Sequence, residues 1–318
     1  MSLRIIFMGT PEFAVPSLDR LVKAGYTIAA VVTAPDKHAG RGMHLTQSAV
    51  KKYAAEKELP VLQPDKLKSP EFIDALKALK ADLQIVVAFR MLPEVVWNMP
   101  PMGTVNLHAS LLPQYRGAAP INRAIINGEK FTGVTTFKLK HEIDTGNILL
   151  QQKIEIGEKE TAGELHDRMK EIGAGLLLKT VNGLAENSLE DLPQSEVNIQ
   201  QPITSNKQQE TSNKELKHAP KIFTETCKID WSNTTDDVYN LIRGLSPYPA
   251  AFTMLNGKTL KIYRADKETG SSISEDIETD KKTYFKFRCA DGLISVKELQ
   301  LEGKKRMRVE EFLRGYHF

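Results

Sequence analysis

The sequence predicts an α/β domain with a doubly wound, mostly parallel sheet, followed by a smaller β-barrel domain. Two observations carry this. In the first half, short apolar runs alternate with amphipathic segments, the order that builds Rossmann-like βαβ units with helices on both faces. Beyond a polar stretch near residue 187, the apolar runs become short and β-prone and are punctuated by Asn256-Gly257 and Asp291-Gly292 turns. A length of 318 residues suits two cores better than one.

In order, Leu3 to Met8 reads as a buried strand, and Gly9-Thr10-Pro11-Glu12 as a turn into a helix. Thr10 stands at the capping position, with Pro11 at the first helical residue. Thr27 to Thr33 is a second strand. Ser69-Pro70-Glu71 opens a helix with Ile73, Leu76 and Leu79 along one stripe. Gln84 to Ala88, Thr104 to His108, Val134 to Leu139 and Ile148 to Ile156 are further strands. Thr161-Ala-Gly-Glu164 has the spacing of a capping box, and Leu165, Met169, Ile172 and Leu176 recur behind it at helical intervals.

Residues 1–187 therefore form the first domain and 188–217, rich in Ser, Asn, Gln and Thr, a linker. In 218–318, a helix is expected over Thr235 to Gly244. Strands are expected over Ala251 to Met254, Thr259 to Tyr263, Thr283 to Arg288 and Leu293 to Leu301.

Composition narrows the class. With 41% hydrophobic and 26% charged residues the chain reads as ordinary globular protein. Its two cysteines, Cys227 and Cys289, form no CxxC pair and no metal spacing, so neither a metal nor a disulfide framework is expected, and a reducing compartment is. The N-terminal apolar run is too short for a signal peptide, and nothing approaches the roughly 20 apolar residues of a membrane span. A cytoplasmic protein without membrane contact is the expectation. A net charge of +3 does not by itself argue for a nucleic-acid partner.

The densest cluster of unusual residues is Asn106-Leu-His-Ala-Ser-Leu-Leu-Pro113-Gln-Tyr-Arg-Gly117-Ala-Ala-Pro120-Ile. Asn106 and His108, two apart at a strand end, project from one face, and strand ends in open α/β sheets are where ligands bind. Glu142-Ile-Asp144-Thr-Gly146 lies in a turn between two strands. Together Asn, His and Asp supply what acyl transfer to an amine requires: donors for an oxyanion, a group to move the amine's proton, and a carboxylate to orient the imidazole. By residue type alone, a single strand-end His is more often structural, and Asp-Thr-Gly is a common turn. Spacing does not bring Asp144 to His108.

The gapped pattern Asn106-x-His108-x-Ser-Leu-Leu-Pro-x-x-Arg-Gly-x-x-Pro-Ile, followed by Asp144-Thr-Gly, resembles the signature of the formyltetrahydrofolate-dependent formyltransferases. The resemblance covers nearly the whole chain and is weakest over the linker. It implies Asn106, His108 and Asp144 as the catalytic trio and 10-formyltetrahydrofolate as formyl donor. Folate contacts are implied at Phe89, Arg90 and Leu92 and at Ser110, Leu111, Leu112 and Pro113. Phe7-Met-Gly-Thr-Pro-Glu-Phe-Ala-Val-Pro16 is similar to the opening of the members that formylate initiator Met-tRNA, the implied partner, with no obligatory protein partner evident. A small-amine acceptor such as an amino-sugar nucleotide is the alternative. Gly9 lacks GxGxxG spacing, which speaks against a nicotinamide dinucleotide.

In those tRNA enzymes a loop corresponding to 34–44 reaches the acceptor arm, which implies tRNA contacts from Arg41 and Lys37. His218-Ala-Pro-Lys-Ile, Ile229-Asp-Trp231, Arg243-Gly-Leu-Ser-Pro-Tyr-Pro249 and Gly303-Lys-Lys-Arg-Met307 are similar to their C-terminal region. This implies an OB-like barrel in which Lys304, Lys305 and Arg306 meet phosphates. Here Glu142 precedes Ile143-Asp144 where relatives commonly have Gly-Leu-Asp; the carboxylate itself is retained.

Overall fold

Strand alternation along Arg4–Gly9 (β1) places Ile6 and Met8 on one face of a sheet and Ile5 and Phe7 on the other, and both faces are buried, with all four at most 1% exposed. The computed structural model describes residues 3–39, 44–197, 215–269 and 276–316. They divide into two units. The first takes in 1–116, 133–154 and 167–218, and the second 117–132, 155–166 and 219–318.

After β1 come α1 (Val15–Lys23), β2 (Thr27–Val32), the short β3 (Lys37–Ala39) and β4 (His44–Thr46), α2 (Ala49–Glu56) and β5 (Val61–Leu62). Then follow α3 (Pro70–Ala78), β6 (Leu83–Val87), α4 (Glu94–Trp97) and β7 (Thr104–His108). Next are β8 (Arg116–Gly117), α5 (Pro120–Ile126), β9 (Phe131–Lys138), β10 (Ile148–Glu155) and α6 (Ala162–Ala185). The strand order is β10-β9-β7-β6-β1-β2-β5. Pairs from β7 to β5 are parallel, and β9 runs antiparallel to β7 with His108 opposite Thr135. The doubly wound, mostly parallel sheet is as the sequence predicts. Ile6, Met8, Val32 and Val86 form one core layer with Phe72 and Leu76 of α3 and Val96 of α4. Under α6, a Cβ at Gly173 would lie 3.0 Å from Leu107 Cδ2 of β7.

Local signals hold with instructive exceptions. Ser69 caps α3 by accepting from Phe72 N at 3.3 Å, and the buried stripe is Phe72 and Leu76, with Ile73 and Leu79 half-buried. Thr161 and Glu164 form the capping box: Thr161 N donates to Glu164 Oε2 at 2.9 Å and Glu164 N to Thr161 Oγ1 at 3.3 Å. Thr10 does not cap. Pro11 keeps an extended backbone, so a single 3-10 turn, Glu12–Ala14, intervenes before α1. β6 ends one residue early because Ala88 turns left-handed, at φ 48°. The polar stretch after α6 starts with order: Leu192 bridges to Ile148, and Val197 joins Leu112, Phe137 and Ile148 in a small core.

The second unit adds β11 (His218–Ala219), α7 (Thr235–Leu245), β12 (Ala251–Leu255), β13 (Lys258–Thr269) and β14 (Ile277–Thr279). It ends with β15 (Phe285–Arg288), β16 (Gly292–Leu301), β17 (Met307–Arg308) and α8 (Val309–Gly315). β12-β13-β16-β15-β14 form an antiparallel half-barrel with β17 on β16. α5 belongs to this unit: Asn122 Nδ2 donates to Gly244 O at 2.8 Å, and a Cβ at Gly244 would meet Ile126 Cγ1 at 2.6 Å. Phe285, Phe287 and Phe312 fill the core, with Trp231 stacked on Phe287 at 4.3 Å.

Cys227 and Cys289 are free and 2% and 5% exposed. Burial pushes both thiols up, that of Cys289 to about 12 with the Asp291 charge adding to the effect. A raised thiol holds little thiolate at neutral pH. Native protein at pH 8 is expected to leave both thiols unreacted with Ellman's reagent over minutes, and to yield both after unfolding in guanidinium. A fast-reacting thiol in the native protein would contradict this burial.

Candidate functional site

The carboxyl ends of β1, β6 and β7 lie side by side, with Gly9 opposite Val87 and Val86 opposite Asn106. Gly9 serves packing: a Cβ there would sit 2.7 Å from Ala14 Cβ and 3.1 Å from the Val87 carbonyl. Asn106 and His108 share one face of β7, as strand periodicity predicts. The Asn106 amide is half-buried and makes no hydrogen bond among the described residues.

His108 is 8% exposed. Its Nε2 lies 2.9 Å from the Tyr115 carbonyl, an atom that only accepts, so Nε2 carries the hydrogen. Nδ1 faces Asp144, 3.9 Å from Oδ2, within electrostatic reach and beyond direct hydrogen bonding. Both side chains are about nine-tenths buried, where a carboxylate's field acts with little screening. The structure thus brings together His108 and Asp144, which sequence spacing leaves apart. It does so through the β7–β9 pairing and the turn that follows β9.

That turn is closely packed. Asp144 has φ 54°, and Thr145 Oγ1 donates to the Glu142 carbonyl at 3.0 Å. Gly146 tolerates no side chain: a Cβ would lie 1.6 Å from the Lys138 carbonyl oxygen. On the other side, the loop after β7 is held from within. Ser110 Oγ donates to Gln114 O at 2.7 Å, and Thr135 Oγ1 to Ser110 O at 2.6 Å. Gln151 Nε2 donates to Leu112 O at 2.8 Å and to Thr135 Oγ1 at 3.0 Å.

Ser110, Leu112 and Pro113 are buried, so their side chains build the loop, while half-buried Leu111 packs over Gly133. Phe89 is half-buried, and Leu92 is 8% exposed in the core layer beneath α4. Arg90 stacks beside Phe89 and donates to the backbone carbonyls of Pro64 and, at 2.9 Å, Asp65. The left-handed, exposed Ala88 and the 71% exposed Met91 open this loop at the strand ends. Exposed backbone beside apolar walls suits a planar heteroaromatic ring such as a pterin.

Lys37 is exposed in β3, and Asp36 beside it is held by Lys51 at 2.5 Å. Arg41 falls outside the described residues. In the second unit Lys304 and Lys305 are exposed, whereas Arg306 lies over the Tyr263 ring at 4.2 Å and pairs with Glu298 at 2.5 Å.

Thr135, Gln151 and Gln194 escaped sequence reasoning. Gln194 is 7% exposed and donates through Nε2 to the Asp144 and Gly146 carbonyls, each at 2.8 Å. Its Oε1 accepts from Arg116 Nε at 3.1 Å and Nη2 at 2.6 Å. Burial lowers the Arg116 guanidinium pKa, and the charges of Asp144 and Glu142 work against that shift. Arg116 was visible inside the motif; Gln194 lay in a polar segment with no periodic signal.

The chain belongs to the formyl transferase family, whose model matches residues 3–181 and whose C-terminal domain model matches residues 221–317. Within that family it is 50% identical over 322 residues to the methionyl-tRNA formyltransferase of Bacteroides fragilis, covering 99% of this chain and 95% of the relative. Among solved structures it is similar to WlaRD, a sugar 3N-formyl transferase, with a TM-score of 0.67 and 20% identity over 96% of this chain and 100% of that one. HypX from Aquifex aeolicus matches with a TM-score of 0.65 and 17% identity over all of this chain, which spans about half (49%) of that longer protein. Among the described residues no helix is long and apolar enough to cross a membrane.

Proposed function

We propose that this chain transfers the formyl group of 10-formyltetrahydrofolate to the α-amino group of the methionine on initiator Met-tRNA, in the cytoplasm, for translation initiation. The observation that carries this reading is the near full-length 50% identity to a methionyl-tRNA formyltransferase, supported by the His108–Asp144 geometry. An α-amine has a reference pKa of about 7.7–8.0 and is partly neutral at working pH.

The amine nitrogen attacks the formyl carbon, forming the new C–N bond, and the bond from that carbon to the folate nitrogen breaks. The proton lost by the amine passes to the departing nitrogen by way of His108. Asn106, whose side-chain amide makes no hydrogen bond among the described residues, donates to the oxyanion of the tetrahedral intermediate, joined by His108 once its Nε2–H leaves the Tyr115 carbonyl. Asp144 acts through the imidazole, fixing its orientation. Residues 1–187 carry this chemistry. The barrel of 218–318 holds tRNA through Lys304, Lys305 and Arg306, and the 34–44 loop reaches the acceptor arm with Lys37 and Arg41. The folate lies along Phe89, Arg90 and Leu92 and against the 110–113 backbone.

The test is a formylation assay with purified protein, 10-formyltetrahydrofolate and initiator Met-tRNA, beside elongator Met-tRNA and free methionine. Rapid transfer to initiator Met-tRNA alone is expected. Transfer to an amino-sugar nucleotide, and to none of the three, would replace the acceptor and leave the formyl transfer standing.

A further inference from the structure

The geometry points to Gln194 as a positioning residue of the formyl-transfer site, one that fixes the Asp144 turn against the 115–116 segment and so sets the space in which His108 sits. This rests on reading His108 and Asp144 as the working pair.

All four polar capacities of the Gln194 amide are in use: two N–H groups on the Asp144 and Gly146 carbonyls, and two oxygen lone pairs on the Arg116 guanidinium. Carbonyls only accept and a guanidinium only donates, so these partners fix which end of the amide is nitrogen. Gln194 therefore joins two backbone segments that approach the imidazole from opposite nitrogens. Asp144 faces Nδ1, and Tyr115, the neighbour of Arg116, accepts from Nε2. Tyr115 and Asp144 both hold left-handed backbone, at φ 59° and 54°, conformations that persist only where surrounding bonds enforce them. Gln194 is 7% exposed, and Leu192 and Val197 on either side of it anchor the segment in the first unit. A residue in the polar stretch after α6 thus reaches the site.

Q194E separates this role from simple packing. The carboxylate keeps its size and its partner Arg116 but presents oxygen to two carbonyls, so it opens the Asp144 turn selectively. Q194M removes both sets of bonds at nearly constant volume. The expected result is a fall in kcat of about tenfold or more in each folded variant, since misplacement by an ångström costs up to about 100-fold. KM for donor and acceptor should stay within about twofold, and both variants should unfold in one cooperative transition at a somewhat lower midpoint, since each loses buried hydrogen bonds.

A double-mutant cycle with D144N completes the test, because groups acting as one unit are not additive. The Q194E/D144N chain should be no slower than D144N alone. Wild-type kcat in Q194E, or losses that multiply in the double variant, overturns the proposal while a slow D144N leaves the working pair intact. Wild-type kcat in D144N overturns the pair itself, and the positioning role with it.

Discussion

His108→Ala is expected to lower kcat by about two decades or more, because a positioned acid–base group contributes roughly 10²–10⁴. The ring is 8% exposed and its two nitrogens are engaged differently, Nε2 on the Tyr115 carbonyl and Nδ1 toward Asp144. Removing it takes away the proton carrier and one oxyanion donor together. Asp144→Asn should reach a similar loss, because it removes the charge facing Nδ1 and keeps the shape of the side chain. Donor binding, measured by equilibrium titration of the folate, should change little in either variant, since neither residue lines the Phe89–Leu92 loop. Near-normal kcat in a folded variant of either residue would remove it from the mechanism.

Gly146→Ala is expected to damage stability and rate at once. The new Cβ would lie 1.6 Å from the Lys138 carbonyl oxygen, 2.8 Å from its carbon and 3.1 Å from Phe137 Cδ2. Two of those atoms are backbone of β9, and Phe137 is fully buried, so relief requires strand and turn to move apart. Overpacking costs about 1–3 kcal/mol, and a backbone clash belongs at the upper end. For a domain of this size that corresponds to a fall in Tm of roughly 6–12 °C. The same movement withdraws the Asp144 turn from His108, so kcat should fall as well. An unchanged Tm in differential scanning calorimetry would show that the turn accommodates the methyl group.

Much of the architecture was legible because it rests on periodicity. The Thr104–His108 strand, the helix opened by Ser69-Pro70-Glu71 and the Thr161–Glu164 capping box need only neighbouring residues, and all three appear as read. β13 runs past the expected Tyr263 to Thr269, since exposed Arg264 and Lys267 flank the buried Ala265 and dilute the apolar signal there. β14 and β17, of three and two residues, are too short to show a period. In the site, the shared face of Asn106 and His108 followed from strand alternation. The approach of Asp144 depends on how β9 pairs with β7, which no local rule encodes. Gln194 was invisible for a further reason: its four hydrogen bonds are long-range, and a glutamine among polar residues carries no mark of its partners.

The left-handed backbone at Asp144 also limits what mutation can offer this position. Asparagine and aspartate visit φ near +54° at small cost, whereas other L-residues pay roughly 1–2 kcal/mol and β-branched ones more. A single-step change that abolishes the charge yet leaves the turn relaxed leads to asparagine, which keeps the side chain's shape, or to glycine, which removes it. Alanine here would report two injuries as one, the missing carboxylate and a strained loop. Any variant library at 144 will therefore sort first by backbone tolerance and only then by chemistry.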